Sequence, residues 1–370
     1  MARQNTTQTR KLIIGAPFQI LTAEFDGTEF SITGNHTTEG TAPSWLLYNA
    51  PDRLYAVNEN AVDTSLFSLD TSLTDPTLVS SADGSSGVVF LEFNADKTRI
   101  VGPAYGSGKV DIWDVSAPDG SLKLLKTLTL EGETNPAQGA HHPHQALLDP
   151  TGRFFLIPNL GGDTVLVLDS KDDKYEFTGN VTLPTGTGPR HGGFIKAGEK
   201  QYYALAAELS NLLFLFELSY TDDTIVFRQV QQQSTYGLTP PANASSAAAG
   251  ELVVAANQRD VYVSNRISGN ATDNIVHFVF DAAAQTLDYA ETVSTGGLRP
   301  RMFSLGADDD DQSIAFVANQ GGAVGLAAFR RSPDSGVLDP TPVATVASEV
   351  LVAPALAATE YTGPQFVQEI

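Results

Sequence analysis

The 370-residue sequence predicts an all-β protein, a seven-bladed β-propeller of four-stranded blades. Three observations carry that expectation. Helical periodicity is almost absent, and short β-branched and aromatic runs recur between Gly, Asp, Asn and Ser turns. A unit of two apolar strands joined by a polar turn occurs seven times, starting near residues 11, 53, 99, 154, 201, 260 and 313. The spacing, roughly 42 to 60 residues, suits propeller blades, and further apolar runs flank most of the pairs.

In chain order the pairs are KLIIGAPFQILTAEF, RLYAVNENAVDTSLFSL, RIVGPAYGSGKVDIWDV, FFLIPNLGGDTVLVLD, QYYALAAELSNLLFLFEL, DVYVSNRISGNATDNIVHFVF and SIAFVANQGGAVGLAAFR. SWLLYN, GVVFLEFN, HQALLD, RHGGFI, AGELVVAA and RPRMFSLG precede all but the first and supply innermost strands. TLVSS, LKLLKTLTL, YEFTGNVTL, TIVFRQVQQQ, LDYAETVST and TPVATVA follow them as outer strands. The first repeat lacks a leading strand, but TGPQFVQEI at 362–370 is similar to TGPRHGGFI at 187–195, which leads the fifth blade. The last strand is therefore expected to close the ring as the innermost strand of blade one. Residues 1–10 are expected to be a flexible segment and 11–370 one propeller domain. Two sandwich domains would need a linker; LTPPANASSAAAG at 238–250 instead fits a loop between blades five and six, and GADDDDQS at 306–313 a solvated turn.

Composition excludes several functions. Apolar residues make up 42% and charged residues 18%, enough for a packed core rather than a disordered chain. A net charge of −21 opposes binding to nucleic acid, which needs clustered Lys and Arg. No cysteine is present, which removes disulfides, thiolate metal sites and a Cys nucleophile. No apolar run approaches about 18 residues, so no membrane-spanning helix is expected. The N-terminal MARQNTTQTRK has no apolar signal region, yet N-x-S/T sequons occur at Asn5, Asn35, Asn180, Asn243 and Asn270. The sequons carry the expectation of a secreted glycoprotein whose leader precedes this sequence, with a cytoplasmic protein as the alternative. Oligomeric state is not readable from the sequence.

Chemistry in a propeller belongs where polar residues interrupt the inner strands around the central channel. Those residues are His144, Arg190, His191, Glu208, Glu251, Arg266, Arg299, Arg301 and Gln320. His144 and Arg190 lead blades four and five; Glu208 and Arg266 end the second strands of blades five and six. Each also has a structural reading: a histidine on a loop carbonyl, an arginine bridging blades, half of an interblade ion pair, an arginine on backbone carbonyls. Together, a histidine, a carboxylate and two arginines suit acid/base work on a small anionic substrate. The cluster His141, His142 and His144 lacks a third ligand of standard spacing, so no metal or other cofactor is expected. No G-x-S-x-G elbow is present either.

HPHQALLDPTGRFFLIPNLGGDTVLVLD, GTGPRHGGF, DVYVSNR and RPRMFSLG…AFVANQ resemble the repeat motifs of the seven-bladed lactonase family. That family contains bacterial-type 6-phosphogluconolactonases and fungal 3-carboxy-cis,cis-muconate lactonising enzymes (carboxymuconate cyclases). The resemblance spans about residues 139–330 and implies His144, Arg190, Glu208 and Arg266 as the active-site set. His142 and His191 fall on neighbouring polar positions, and Arg301 and Gln320 join them as substrate-binding candidates. At Glu208 the chain reads A-E-L where the family more often has N-E-L. The implied chemistry is cofactor-independent lactonisation of a carboxymuconate-like acid, with Arg190 and Arg266 holding carboxylates and His144 and Glu208 handling the proton. Hydrolysis of a sugar or aldonic acid lactone is the alternative, and a non-catalytic secreted binding protein the second.

Overall fold

The computed structural model describes residues 9–70, 75–307, 311–359 and 361–370. Asn5, most of the expected N-terminal segment and Asp308 to Asp310 lie outside the described residues. The chain forms seven four-stranded antiparallel sheets, and among the described residues the helical segments are short 3-10 turns at Leu160–Gly162, Lys171–Asp173 and Ser348–Leu351. Second strands begin at Arg10, Arg53, Arg99, Phe154, Lys200, Asp260 and Ile314, each within one residue of its sequence repeat. Blade one also has an outer strand, Phe30–Thr37, paired with Gln19–Phe25.

Phe366–Glu369 lies antiparallel on Arg10–Ala16, with Gly15 opposite Phe366 and Leu12 opposite Glu369. The C-terminus thus supplies the innermost strand of blade one, as its likeness to the lead of blade five predicts. Arg10, expected in a flexible segment, belongs to this strand instead. Its Nη1 donates to Glu369 Oε2 at 2.9 Å, and the Ala307 amide of blade seven donates to the same oxygen at 2.8 Å. Phe366 and Val367 pack with Leu12, Ile14, Met302 and Phe316, so the closing strand joins the cores of blades one and seven.

Two innermost strands are shorter than their sequence runs. Blade three pairs only Glu92–Phe93 and blade four only Leu147–Leu148, each preceded across a gap by an isolated bridge, at Val88 and Pro143. The cause is a proline in each second strand. The carbonyls of Pro103 and Pro158 accept from Val89 and His144, so the nitrogen of each proline faces the inner strand, where it has no hydrogen to donate. In blade four this interruption lets the chain around His144 leave the regular ladder.

Apolar faces of neighbouring blades interlock into buried clusters around the ring. The joint between blades six and seven is ionic. Asp260, fully buried, pairs with Arg331 and with His277 Nε2 at 3.2 Å, while Arg331 Nε donates to Tyr262 Oη at 2.7 Å. Burial alone would raise the Asp260 pKa, but hydrogen bonds from His277 and Asn257 and the charge of Arg259 hold it well below the carboxylate range. Asp260→Ala leaves Arg331 buried and unpaired, so it is expected to cost about 3–5 kcal/mol in denaturant unfolding.

Candidate active site

In a blade of four antiparallel strands, the start of the first strand and the end of the second lie on the same face of the ring. His144, Arg190, His191, Glu251 and Arg301 come from the leading parts of inner strands or the loops just before them. Glu208 and Arg266 come from the ends of second strands. Antiparallel pairing therefore gathers them on one face.

β-Bulges aim the key side chains. Arg190 is the unpaired residue where Pro189 faces Ala207 and His191 faces Ala206. Arg301 is skipped between Pro300 and Met302, and Gly250 and Glu251 lie in the register break between Ala249 and Leu252. A bulge breaks the in-out alternation of a strand, so neighbouring residues can both contribute to one site. The breaks are held locally. Glu251 N donates to Ser264 Oγ at 2.9 Å, and Ser264 Oγ donates to Pro300 O at 2.8 Å. Ahead of Arg190, Gly188 has φ 63° and its amide donates to Asp163 Oδ1 at 2.7 Å. A Cβ at Gly188 would lie 2.3 Å from Leu209, the residue after Glu208, so only glycine fits this turn.

Glu208 sits between two guanidiniums. Its Oε2 lies 2.9 Å from Arg190 Nε and 3.0 Å from Arg266 Nη2; the first contact is an ion pair without hydrogen-bond geometry. Arg190 Nη1 also donates to Gly250 O at 2.8 Å, and Arg266 Nη2 to Ala249 O at 2.9 Å. The contacts expected of an interblade ion pair and of an arginine on backbone carbonyls are thus both present, because buried cations demand partners. Burial would raise the Glu208 pKa, but Arg266, Arg190 and Arg301 outweigh it and lower it. Arg301 Nη2 donates to Glu59 Oε2 at 2.7 Å.

Beside this cluster runs a hydrogen-bonded chain. His191 Nδ1 is 2.7 Å from Glu251 Oε1, and His191 Nε2 is 3.0 Å from His144 Nδ1. The chain assigns the tautomers. Glu251 accepts from His191 Nδ1–H, which leaves His191 Nε2 as the acceptor for His144 Nδ1–H. The lone pair of His144 is then on Nε2, which makes no hydrogen bond among the described residues. Burial first, then Arg190, His191, Arg301 and Arg266, hold the His144 pKa well below 6.5. Burial also lowers His191, against the opposing pull of Glu251. Trp45 and Phe90 meet the His191 ring edge-on, with centroids 5.7 and 5.6 Å away. A cavity of about 10 Å³, room for roughly one water, is lined by His144, Arg190, His191, Glu251 and Arg301.

The remaining candidates separate from this cluster. His142 stacks on Tyr105 at 4.2 Å, with its Nδ1 2.8 Å from Tyr105 O; His141 meets Asn159. Arg299 lies over the Tyr361 ring at 4.0 Å and donates to its hydroxyl at 2.9 Å. Gln320 is buried near the end of the second strand of blade seven, and its side chain has no hydrogen bond to the cluster among the described residues. Sequence reasoning missed Glu59 and Tyr105. Both follow second strands, on blades two and three, at the place Glu208 takes on blade five, so this positional rule would have found them. Burial and the nearby Glu208 raise the Tyr105 pKa.

Residues 6–354 match the family described as "Lactonase, 7-bladed beta-propeller". The chain belongs to this lactonase family. A probable 6-phosphogluconolactonase of Arthroderma benhamiae is 29% identical over 349 residues, 89% of this chain and 84% of that protein. The propeller is shared with the periplasmic gluconolactonase of Pseudomonas aeruginosa, 24% identical with TM-score 0.80 over 98% of this chain and 99% of the other. It is also shared with a putative 6-phosphogluconolactonase of Bacteroides fragilis, 21% identical with TM-score 0.76 over 94% and 99% of the two chains. Lactonase membership extends the resemblance seen in residues 139–330 to nearly the whole chain.

Proposed function

We propose that the protein hydrolyses a lactone ring of a small sugar acid, with His144 as general base. The observation that carries this reading is the Glu251–His191–His144 chain, which leaves a basic Nε2 beside paired guanidiniums. His144 Nε2 takes a proton from water as its oxygen bonds to the lactone carbonyl carbon. Arg190 or Arg266 stabilises the oxyanion through guanidinium hydrogens not used by Glu208 and the carbonyls. Collapse breaks the ring C–O bond, and the alkoxide takes the proton from His144, so water is added across the ester and the base is restored. Family membership and the Arthroderma relative favour this direction over carboxymuconate cyclisation.

The test is proton release with glucono-δ-lactone, above its spontaneous opening, beside ultraviolet detection of carboxymuconate loss. Enzyme-dependent carboxymuconate loss without lactone opening would overturn the hydrolytic reading. The base must be unprotonated to act, so activity is expected to fall as pH drops through the lowered His144 pKa. Log kcat/KM should therefore rise with a midpoint below 6.5 and level off above it. A midpoint at or above 6.5 would count against His144. Burial sets this midpoint first, then the charges of Arg190, His191, Arg301 and Arg266, with Glu251 and Glu208 close by.

A further inference from the structure

We infer that the substrate is an uncharged sugar-acid lactone and that a phosphorylated lactone is rejected; this rests on the hydrolytic reading above. Two independent features carry it: the charge balance of the cluster and the charge of the loops around it.

Within the cluster, Arg190, Arg266 and Arg301 face Glu208, Glu59 and Glu251, so the formal charges cancel. Every guanidinium already has a carboxylate contact, and Arg190 and Arg266 also donate to carbonyls. No cation is left over for a phosphate. Hydrolysis suits such a site, because the oxyanion forms as His144 gains its proton and the balance is preserved. The product, a carboxylate, is the first uncompensated charge to appear, which favours its departure.

The loops sharing this face are those joining second to third strands and each outer strand to the next inner strand. None of them contains a Lys or Arg. They carry Glu39, Glu131, Glu133, Asp163, Asp273 and Glu349 instead, besides Glu59 and Glu208 of the cluster. The loops of the opposite face hold Lys97, Arg153, Lys171, Lys174, Arg259 and Arg331 among a larger number of acidic residues. What sets the site face apart is that the acids of its loops have no Lys or Arg in those loops beside them. With the carbonyl end of a sugar lactone at His144, a phosphate on its far carbon points toward these acidic loops. A phosphate carries a charge of about −1.5 to −2 at neutral pH and would approach these loops against repulsion, toward a cluster whose formal charges already cancel.

The experiment compares kcat/KM for glucono-δ-lactone and 6-phosphogluconolactone at low and at moderate salt. The uncharged lactone is expected to be favoured at least about tenfold at low salt, and the gap to narrow as salt screens the loops. The double variant Glu131→Lys, Glu133→Lys changes two exposed loop residues outside the cluster. It should raise kcat/KM for the phosphorylated lactone by about 3- to 10-fold at low salt and leave the uncharged one unchanged. A wild-type preference for the phosphorylated lactone, or an unchanged ratio in the double variant, overturns the inference. If neither lactone is opened, the hydrolytic reading falls, and the inference with it.

Discussion

His144→Ala is expected to reduce kcat for lactone opening by about 10²- to 10⁴-fold, the usual contribution of a positioned general base. Its ring is buried and bonded through Nδ1 to His191, so the only nitrogen offered to a substrate is Nε2. Glu251→Gln separates the support from the base itself. The Glu251 Oε1 that faces His191 also accepts from Leu252 N at 3.1 Å, so a glutamine keeps that oxygen in place and the tautomers unchanged. What it removes is the negative charge that steadies the imidazolium formed during reaction. A loss of about tenfold in kcat, with KM little changed, is the expected result. Rapid-mixing kinetics and the ¹⁵N shifts of the histidines together check it: the His144 Nδ1 proton should persist in Glu251→Gln and be lost in His191→Phe. Wild-type kcat in His144→Ala would remove it from the mechanism.

Deleting Gly363 to Ile370 is expected to lower the melting temperature by about 10 °C or more, or to abolish cooperative unfolding. Phe366 and Val367 are almost fully buried, and their loss alone is worth about 3–6 kcal/mol. The deletion also strips the inner edge from Arg10–Ala16 and leaves Arg10 without its Glu369 ion pair. Repair by a neighbouring blade is blocked, because each already has four strands. Thermal denaturation followed by near-ultraviolet circular dichroism would show the effect; an unchanged transition would mean that closure is not needed for the ring.

The repeat was legible because every blade solves the same burial problem with the same alternation of apolar strand and polar turn. The seven second strands fall where the sequence repeats them, and TGPQFVQEI closes the ring because it has the pattern of an inner strand without a repeat of its own. Seven site residues were legible for a related reason, since polar groups at the ends of otherwise apolar inner strands need a shared explanation. Arg299 and Gln320 met the same criterion but do not join the cluster. A one-dimensional pattern records a residue's place along a strand and not the direction of its side chain.

The sequence by itself determined the number of blades, their strand order, the ring closure and the family, all of which depend on periodic burial. Only the tertiary structure decided the chemistry. The bulges at Arg190, Glu251 and Arg301 reset side-chain direction at single residues, and strand periodicity does not encode such a break. The pairing of Glu208 with guanidiniums from two blades, and the chain from Glu251 through His191 to His144, join residues from different repeats. Contacts of about 3 Å between them exist only once neighbouring blades pack side by side.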